Sequence, residues 1–530
     1  MIKYLILFIY LNLFITSSKS TTVYNLFLNP NCTDFTIPCG NDINNGCPDI
    51  TTALLSYGEI ETKETSVVLN LGDFIFSGIN NTNLLLFGRN ITIKGSSTLN
   101  MATIDIDNNG NFFTLTDDNQ NSSNQSTTLN LQYLYLIGGN ASIGGVITIN
   151  SSSSWSQIYL SMDSVNAMGN TANLGGVVGL VNSSSLQTVV NLTNSEFNIN
   201  TADEGAVFYS KTVSRLVIIN CKLYQNNGIK NGVITSLNGN VGMRNVNFDS
   251  NSARQYIIYM NNNNRTLNLN GMTFYNNQIT SGSHIYLYGP TYLTNSQLTH
   301  NRGSTVIHYA SRNQLVIINS TFDSNVNNIG DHGKGGALFM SKNTSLVVTS
   351  SNFTNNYASQ SGGAIYFEKS KKATFDNVNF IGNTVPTTTD GQFNYGSAIH
   401  IRSIKLSLNI TNSTFNSYAL ASKTFPIVCN YAKLVLNNIT TNAGNQLVFC
   451  NAKSCDLSGD SSSINGLCPS TTTTSGHSTT GGGTPLHPHK FTGAQAAGII
   501  IGAVAGFGIV LVIIYFIYKQ YHKRRYQTLQ

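Results

Sequence analysis

Residues that could carry out catalysis are sparse and widely separated in this chain of 530 residues. The adjacent carboxylates Asp117 and Asp118 lie in a run of Asp, Asn and Ser, and the motif Asp331-His332-Gly333 lies far downstream. Two carboxylates that flank a glycosidic bond at less than about 10 Å can cleave a polysaccharide. These residues indicate a carbohydrate-active enzyme only if the fold brings them together.

A calcium site is a second possibility around the first of these carboxylate pairs. Asp105 and Asp107 precede Asp117 and Asp118 in the sequence. Carboxylate oxygens are ligands that calcium prefers. A solvated polar turn has the same composition and is the simpler interpretation.

The histidines and cysteines do not have the spacing of a metal centre. Three histidines lie in a Ser- and Thr-rich stretch without a neighbouring Cys or carboxylate, and three others fall on or beside expected strands: His477, His487 and His489, then His284, His308 and His400. Structural zinc sites use Cys and His at short defined spacings, and no C-x2-C pair occurs here. We therefore predict no catalytic residue, no metal and no cofactor, and expect the strand histidines to be packed or surface residues.

Charge is balanced along the body of the chain. The 29 Lys and Arg exceed the 23 Asp and Glu by a formal net charge of +6. The excess lies entirely at the two ends, which contain no acidic residue: Lys3, Lys19, Lys519, Lys523, Arg524 and Arg525. Binding to nucleic acid or heparin depends on clustered Lys and Arg. The net charge therefore gives no reason to expect either partner.

The composition of the chain predicts its type of secondary structure. Charged residues make up 10% of the chain, Pro is 9 residues and Trp is 1, while Asn, Ser and Thr are abundant. This excludes a coiled coil, collagen and a charged disordered chain. Asn, Ser and Thr compete with helical backbone bonds through their own side chains, so we expect an all-β body.

Two terminal segments predict export and membrane anchoring. Residues 1–20 contain Lys3, an apolar run and small residues at Ser18 and Ser20, which is typical of a signal peptide; an uncleaved anchor is the alternative. Residues 494–518 include a run without charge that is long enough for one transmembrane α-helix. The basic residues of the segment 519–530 place that tail in the cytosol, so the body lies outside the cell or in a lumen.

Three further features belong to this C-terminal region. Gly498, Gly502 and Gly506 recur every four residues and could form the contact face of a homodimer. Residues 470–490 are rich in Thr, Ser, Gly and Pro and are interpreted as a stalk. Tyr526 and Leu529 have the spacing of a tyrosine-based sorting signal, which a clathrin adaptor binds as an extended peptide.

The body repeats one short pattern. An apolar residue is followed seven positions later by Phe or Leu, and a Gly-Gly-Ala-Ile-like element follows in most copies. The aligned Phe and Leu positions are Phe197, Leu223, Phe248, Phe274, Leu298, Phe322, Phe353 and Phe380. A period near 25 residues built of short strands indicates a solenoid. Leucine-rich repeats need a denser leucine pattern, and propeller blades are longer.

A right-handed parallel β-helix over residues 59–450 fits this pattern best. About 15 coils stacked at about 4.8 Å would form a rod of about 70 Å. At that spacing Asp117 and Asp118 lie about eight coils, or about 40 Å, from His332, which is too far for one glycosidic bond.

The most regular column is an Asn three positions after each Phe or Leu. Its members are Asn200, Asn226, Asn251, Asn277, Asn301, Asn325, Asn356 and Asn383. Stacked amides can hydrogen-bond along the stack and occupy bends that other residues resist. A second column lies three positions before the Phe, where Gly271 indicates a positive φ: Asn194, Asn220, Asn245, Asn295, Asn319, Asn377 and Asn412.

Glycosylation sequons avoid the first of these columns. The sequon asparagines are Asn31, Asn80, Asn90, Asn121, Asn124, Asn140, Asn150, Asn182, Asn191, Asn264, Asn319, Asn343, Asn352, Asn409, Asn412 and Asn438. A side chain that points inward cannot carry a glycan. The avoidance therefore predicts a structural ladder inside the solenoid.

The Gly-Gly-Ala-Ile and Phe-x-x-Asn pairing resembles the repeats of the polymorphic outer-membrane protein family, and more broadly the pectin-lyase-like β-helices. The resemblance covers Gly144 to Asn442 and is strongest from Phe322 to Ile399. It implies an elongated and often adhesive surface protein. This chain ends in an apolar segment rather than the β-barrel of that family, so the secretion route is not implied.

Cysteines cluster at the two ends of the repeats. Cys32, Cys39 and Cys47 precede the first coil, in an expected cap of residues 21–58. Four more lie near or within a second cap of residues 451–469: Cys429, Cys450, Cys455 and Cys468. Disulfides in these caps would cover the open ends of the solenoid. Cys221 is expected to be a buried thiol, which leaves an odd number to pair.

Together these features predict a single-pass glycosylated protein of the plasma or endosomal membrane that functions in adhesion, binding of a glycan or protein ligand, or surface coating. Two alternatives remain: a carbohydrate-active β-helix enzyme and an endocytic receptor.

The endocytic alternative is tested at Tyr526. If an adaptor binds the tail, Tyr526→Ala removes the residue that fills the tyrosine pocket and raises the amount of protein at the cell surface. Surface labelling of cells that express the full chain measures this, with Gln527→Ala as the matched control at a variable position. Equal residence of both variants and the wild type would exclude an endocytic signal at this position.

Overall fold

The computed structural model describes residues 23–460 and 462, except for 34, 37, 59–65, 117–125, 152–156, 182–187, 214, 263–264, 330–332, 387–395, 404, 417–424, 444–445, 451–454 and 461. The chain divides into two units, Met1–Ser470 and Thr471–Gln530. All of the described residues belong to the first unit. The segments predicted from sequence to be a signal peptide, a stalk and a transmembrane helix lie outside them, and so do Tyr526 and Leu529.

The first unit is an all-β parallel β-solenoid of the right-handed type. A regular coil contains four strands, and each strand pairs in parallel with the corresponding strand of the next coil. The first strands are Val23–Phe27, Ser66–Gly72, Asn90–Gly95, Thr127–Ile137, Ile158–Met168, Thr188–Thr193, Arg215–Ile219, Asn240–Arg244, Leu267–Asn270, Thr291–Thr294, Gln314–Ile318, Ser345–Thr349, Lys372–Asp376, Ser407–Thr411, Ala432–Asn437 and Cys455–Gly459.

The second strands carry the recurrent Phe or Leu and belong to the same 28-stranded sheet. They are Ile75–Ser77, Ala102–Asp105, Glu196–Asn198, Lys222–Tyr224, Asn247–Asp249, Thr273–Tyr275, Gln297–Thr299, Thr321–Asp323, Asn352–Thr354, Asn379–Ile381, Thr414–Asn416 and Thr440–Thr441. In the coils of Thr127–Ile137 and Ile158–Met168, one long strand takes both places.

The third strands are short and form a nine-stranded sheet. They are Asn140–Ile143, Thr171–Leu174, Thr201–Glu204, Asn227–Asn231, Ser252–Ala253, Gln278–Ile279, Arg302–Gly303, Val326–Asn327 and Tyr357–Ala358.

The fourth strands form a fourteen-stranded sheet, hereafter the fourth face. They are Leu84–Leu86, Phe113–Thr116, Ile147–Asn150, Val178–Val181, Phe208–Ser210, Ile234–Ser236, Ile258–Asn261, Ile285–Tyr288, Ile307–Tyr309, Leu338–Met340, Ile365–Glu368, Gly396–Arg402, Phe425–Asn430 and Val448–Cys450. Helical structure among the described residues is limited to the α-helix Ile50–Gly58, the 3₁₀ turn Ile79–Asn81, and the single helical residues Gln446 and Ser462.

The fourteen strands of the fourth face define about 13 turns, compared with the 15 coils expected. The column of first strands extends by one strand at each end, with Val23–Phe27 and Cys455–Gly459. Coil length varies along the solenoid, and long coils occur both early and late. Leu129 pairs with Leu160 and Ala373 pairs with Leu408, whereas Leu216 pairs with Val241.

The core is built from columns of identical or similar side chains. The eight aligned Phe and Leu residues are buried, and each pairs in register with its counterpart in the next coil, as Phe248 does with Phe274. The last four rings stack face to face: Phe322 to Phe353 at 4.8 Å, Phe353 to Phe380 at 5.2 Å, and Phe380 to Phe415 at 4.8 Å. Each of these side chains is thus covered by its counterparts in the neighbouring coils, so we expect a single coil not to be stable alone.

A ladder of buried amides follows the second strand. The Asn277 Nδ2 donates to Asn301 Oδ1 at 3.1 Å and to the Phe248 carbonyl at 3.0 Å. Its Oδ1 accepts hydrogen bonds from both the backbone N–H and the Nδ2 of Asn251, each at 3.0 Å. The side-chain pattern continues through Asn170, Asn200, Asn226, Asn251, Asn277, Asn301, Asn325, Asn356 and Asn383. Every shared amide therefore joins two coils.

The backbone bends at the residue before each ladder asparagine, and not at the ladder asparagine itself as expected. The ladder residues do not themselves have positive φ; the residue before each of them does, as at Gln225 (φ 55°), Ser324 (φ 54°) and Gly382 (φ 64°). The strain of the left-handed conformation is thus separated from the amide that stabilises the corner. Asn170, which the repeat pattern missed, follows Gly169 (φ 68°) in the same way.

The second column of asparagines lies on the outside. Its members have φ of about 50°, as in Asn194 (φ 50°) and Asn220 (φ 53°), and Gly271 takes the same place with φ 66°. The amides also bond between coils, for example Asn220 Nδ2 to Asn194 Oδ1 at 3.1 Å. Asn tolerates the left-handed region better than most residues, and this explains its frequency at the position.

Disulfides lie at both ends of the described solenoid. Cys39 bonds to Cys47 beside the helix Ile50–Gly58, and Cys429 bonds to Cys455 across the last strands. Cys450 is also disulfide-bonded. Cys32 and Cys221 are free thiols, and Cys221 is buried. Burial raises the pKa of the Cys221 thiol to about 12, which keeps it protonated and unreactive.

In the part of the chain that the structure describes, no helix is long and apolar enough to cross a membrane.

The ladder predicts a large effect from a single amide. Asn277→Ala leaves two donors of Asn251 without their acceptor, and each buried unsatisfied group costs about 1–3 kcal/mol. We expect a loss of roughly 3 kcal/mol or more in the free energy of unfolding, measured by urea titration. Asn268→Ala, on an exposed strand position of the same coil, is the control and is expected to change stability by less than about 0.5 kcal/mol. Similar effects of the two substitutions would contradict a stabilising ladder.

Candidate functional site

A cavity of about 410 Å³ lies where the chain leaves the fourth face and enters the next first strand. We call it the basic cleft, because five of its lining residues are Lys342, Lys369, Lys371, Arg402 and Lys405. Asn343, Ser403 and Tyr431 complete the lining. The basic side chains come from corners of three successive coils, so the solenoid brings together residues that are distant in sequence.

The backbone of this corner has a left-handed conformation in three of the four coils that line the cleft. Asn343 (φ 66°), Lys369 (φ 54°) and Tyr431 (φ 58°) have positive φ. The Asn343 N–H donates to the Lys369 carbonyl, and the Lys369 N–H donates to the Arg402 carbonyl, both at 3.0 Å. Lys and Tyr adopt this conformation at a cost of about 1–2 kcal/mol each. The corner thus keeps an unfavourable conformation at two residues that line the cavity.

Buried hydroxyl groups beneath the cleft fix the position of the corners. Ser370 Oγ hydrogen-bonds to Thr344 Oγ1 at 3.0 Å and donates to the Met340 carbonyl at 3.2 Å. Ser403 Oγ donates to the Ser370 carbonyl at 2.7 Å. All three hydroxyl residues are buried. These bonds join three coils below the cavity and hold the basic residues above it at a constant spacing.

The cleft is strongly electropositive. Its five basic residues are all exposed, and no described carboxylate lines the cavity. Glu368 pairs in register with Arg402, but it lines the neighbouring cavity instead. The coils rise by about 4.8 Å, less than the screening length of about 8 Å at physiological salt. The positive charges therefore reinforce one another and favour an anion.

On other coils, by contrast with the basic cleft, lysines form ion pairs with carboxylates. Lys222 Nζ lies 2.6 Å from Glu196 Oε1, and Lys230 Nζ lies 2.6 Å from Asp203 Oδ2. These lysines have carboxylate partners one coil away. Among the described residues, no such pair involves a base of the cleft.

An aromatic column borders the cleft on the outside of the fourth face. Its rings occupy one register position in six consecutive coils: Tyr259, Tyr286, His308, Phe339, Tyr366 and His400. Adjacent ring centres are 4.8–5.4 Å apart. Arg402 connects the two features, because it interacts with the Tyr366 hydroxyl and opposes the rise in the pKa of Tyr366 that burial causes.

A second cavity of about 360 Å³ lies along this column. Its lining includes His308, Phe339, Lys334, Glu368 and Ser304. The Lys334 ammonium lies 5.5 Å from the centre of the Tyr366 ring, within range of a cation–π interaction. This cavity contains both signs of charge, so it is electrostatically distinct from the basic cleft.

The three strand histidines are packed rather than arranged around a common centre. His284 and His400 are buried, and His308 is half-buried in the aromatic column. Burial lowers the pKa of His284 to about 4, although carbonyl groups of Thr305, Asn277 and Arg302 oppose the shift. Burial likewise lowers the pKa of His308 to about 4, and its Nε2 lies 2.6 Å from Ser341 Oγ.

The candidate catalytic and metal residues are only partly described. Asp105 Oδ1 accepts a hydrogen bond from the Asp107 N–H at 2.9 Å, which forms a local turn. Asp117, Asp118, Asp331 and His332 lie outside the described residues, and so do His477, His487 and His489. Within the described ranges, no group of three or more His, Cys, Asp or Glu could hold a metal ion.

The sequon asparagines are all at least partly accessible where the structure describes them. Eight are exposed: Asn31, Asn80, Asn90, Asn140, Asn150, Asn319, Asn412 and Asn438. Four are intermediate: Asn191, Asn343, Asn352 and Asn409. Asn121, Asn124, Asn182 and Asn264 lie outside the described residues. The ladder asparagines, by contrast, are buried.

The net charge of the body concealed the basic cleft. An average over the whole body cannot show that lysines recur at the same corner of the repeat. The signal that could have revealed it is the spacing of Lys342, Lys369 and Lys405, each of which follows a strand of the fourth face. The balanced net charge, which gave no reason to expect a nucleic-acid or heparin partner, thus does not report on the clustering of bases at this corner of the solenoid.

No protein-family model matches the chain, and comparison with curated proteins finds no match. The likeness to outer-membrane and pectin-lyase-like repeats therefore remains a resemblance in sequence motif.

The buried histidines predict loss of stability in acid. An unfolded His takes up a proton near pH 6.5, whereas folded His284 and His308 resist protonation until about pH 4. The unfolded state therefore binds more protons in this interval, so stability is fully present above about pH 6.5 and declines towards pH 4. We expect the thermal unfolding midpoint to fall over this range.

His308→Phe isolates one of the two contributions. Phe retains ring contacts with Tyr286 and Phe339 but cannot be protonated. The variant is expected to lose less stability than the wild type between pH 6.5 and 4, by up to about 3 kcal/mol, and less to the extent that the ring is exposed. Parallel pH profiles of the unfolding midpoint in the two proteins would disprove a role for His308.

Proposed function

We propose that this chain is a glycosylated, membrane-anchored surface protein whose β-solenoid lies outside the cell and binds a ligand for adhesion. The 494–518 segment would be the anchor, and residues 1–20 the export signal. The basic cleft favours ligand binding over passive coating, because a coat requires no concentrated charge.

The observation that carries this proposal is the division of asparagines into two sets. Twelve described sequon asparagines are accessible, whereas none of the eight predicted ladder asparagines lies in a sequon, and all eight are buried. In a chain so rich in Asn, sequons would also fall on inward positions if glycans placed no constraint on them. The division supports passage through the secretory pathway, where Asn-x-Ser/Thr is modified.

The disulfides support the same compartment. Cys39–Cys47 and Cys429–Cys455 lie near the two ends of the solenoid, where open strand edges need protection. Such bonds persist in secreted and luminal proteins and are rare in the cytosol. Free Cys221 does not conflict with this, because it is buried and protonated.

Surface display is tested with the full chain in eukaryotic cells. We expect a membrane-impermeant reagent to label it, and an N-glycan-specific glycosidase to reduce its mass. Deletion of 494–518 is expected to release the labelled glycoprotein into the medium. An unlabelled full-length protein whose mass is insensitive to the glycosidase would refute the proposal.

A single-site variant gives the matched control. Ser142→Ala removes the sequon of exposed Asn140 and is expected to reduce the mass by one glycan. Ser252→Ala, at an exposed position next to ladder Asn251, lies in no sequon and is expected to leave the mass unchanged. Equal mobility of Ser142→Ala and the wild type would mean that Asn140 carries no glycan.

A further inference from the structure

We infer that the basic cleft binds sulfate groups of a sulfated polysaccharide. This inference rests on the proposed surface location, which places extracellular polymers within reach, and it adds the chemical class of the ligand. It is carried by the cavity, its charge and the geometry of its side chains.

The size and charge of the cleft fit a polymeric anion better than a small one. Its volume of about 410 Å³ lies within the range of about 300–1,000 Å³ that is typical of ligand sites. Its bases come from corners of three successive coils, so they extend along the solenoid for about 10 Å. A chain with regularly spaced negative groups could contact all three corners, whereas a single small anion could not.

The side-chain chemistry favours sulfate esters over carboxylates. Four of the five bases are lysines, which act as point charges and do not form the planar fork that matches a carboxylate. The one arginine, Arg402, already interacts with the Tyr366 hydroxyl. A sulfate ester carries its charge on three oxygens at the end of a projecting bond, so it can reach between ammonium groups on neighbouring coils.

The cleft is rigid enough to bind without rearrangement. Hydrogen bonds from Asn343 to Lys369 and from Lys369 to Arg402 keep the three corners in register. The buried hydroxyls of Thr344, Ser370 and Ser403 support them from below. A preformed site loses little entropy on binding, which raises its affinity for a matching ligand.

One feature of the chain competes for the same space. Asn343 lines the cleft and lies in the sequon Asn343-Thr344-Ser345. A glycan on Asn343 would occupy part of the cavity. Ser345→Ala removes the sequon and keeps the Asn343 side chain, so it is the appropriate background for every measurement.

The test compares two triple variants of the full chain with the same change in charge. The cleft variant is Lys342→Gln, Lys369→Gln and Lys371→Gln; the control is Arg215→Gln, Arg244→Gln and Arg254→Gln, at exposed bases on other coils. Gln tolerates the backbone at position 369, since Gln225 has φ 55° in the same solenoid. A double variant, Lys342→Gln with Lys371→Gln, avoids position 369 if the triple variant is unstable.

Binding is measured to immobilised dextran sulfate, with neutral dextran, polygalacturonate and single-stranded DNA as comparisons. We expect the Ser345→Ala protein and the control to bind dextran sulfate, and the cleft variant to bind at least about tenfold more weakly at physiological salt. The dependence of log affinity on log salt is expected to become shallower by about one for each lysine removed. Neutral dextran is expected not to bind.

Four results would overturn the inference: no binding to dextran sulfate, equal losses in the cleft variant and the control, equal affinity for polygalacturonate, or tighter binding to DNA. Failure of the proposed surface location can be distinguished from failure of the cleft inference. A chain that remains unlabelled on cells but binds dextran sulfate through the cleft would refute only the location, whereas a surface-labelled chain that does not bind would refute only the cleft.

Discussion

The constraint on which this structure depends is the pairing of buried amides between successive coils. At the corner after the second strand, Asn Oδ1 accepts two hydrogen bonds from the coil before, and Nδ2 donates both to the preceding coil's carbonyl and to the next amide. An unsatisfied amide at any rung would cost about as much as several surface contacts contribute. The ladder therefore selects one register and excludes slips of the chain by one or two residues.

A fixed register converts sequence periodicity into surface columns. Residues at the same phase of successive repeats lie about 4.8 Å apart, whatever the length of the intervening loop. Rings on the fourth face contact one another in one such column, and lysines at the following corner lie close together in another. A neutral body can therefore contain a strongly positive cleft. Basic residues at the same position of successive repeats lie side by side, although they are far apart in the sequence.

Much of the fold was accessible from sequence, because the pattern of Phe248, Asn251 and their equivalents reports directly on buried columns. The location of the bend was not, since φ depends on how each corner packs; it lies at residues such as Gln225 rather than at the amide. The repeat pattern missed Asn170, because the residue three positions before it is Ala167 and not Phe or Leu. The cleft could not be predicted from the sequence, because Lys342 and Arg402 are 60 residues apart and only the stacking of three corners makes them neighbours.

The nearest-neighbour character of the amide ladder has a consequence for how such a chain can change length. Duplication of one whole coil would add a rung and leave every other rung intact, so the solenoid can grow in steps of about 4.8 Å with little thermodynamic penalty. Insertion of a single residue within a strand would move the side chains that follow it out of register with the columns of the neighbouring coils. Lineages that carry this architecture should therefore differ by whole repeats, with smaller insertions confined to the loops between strands.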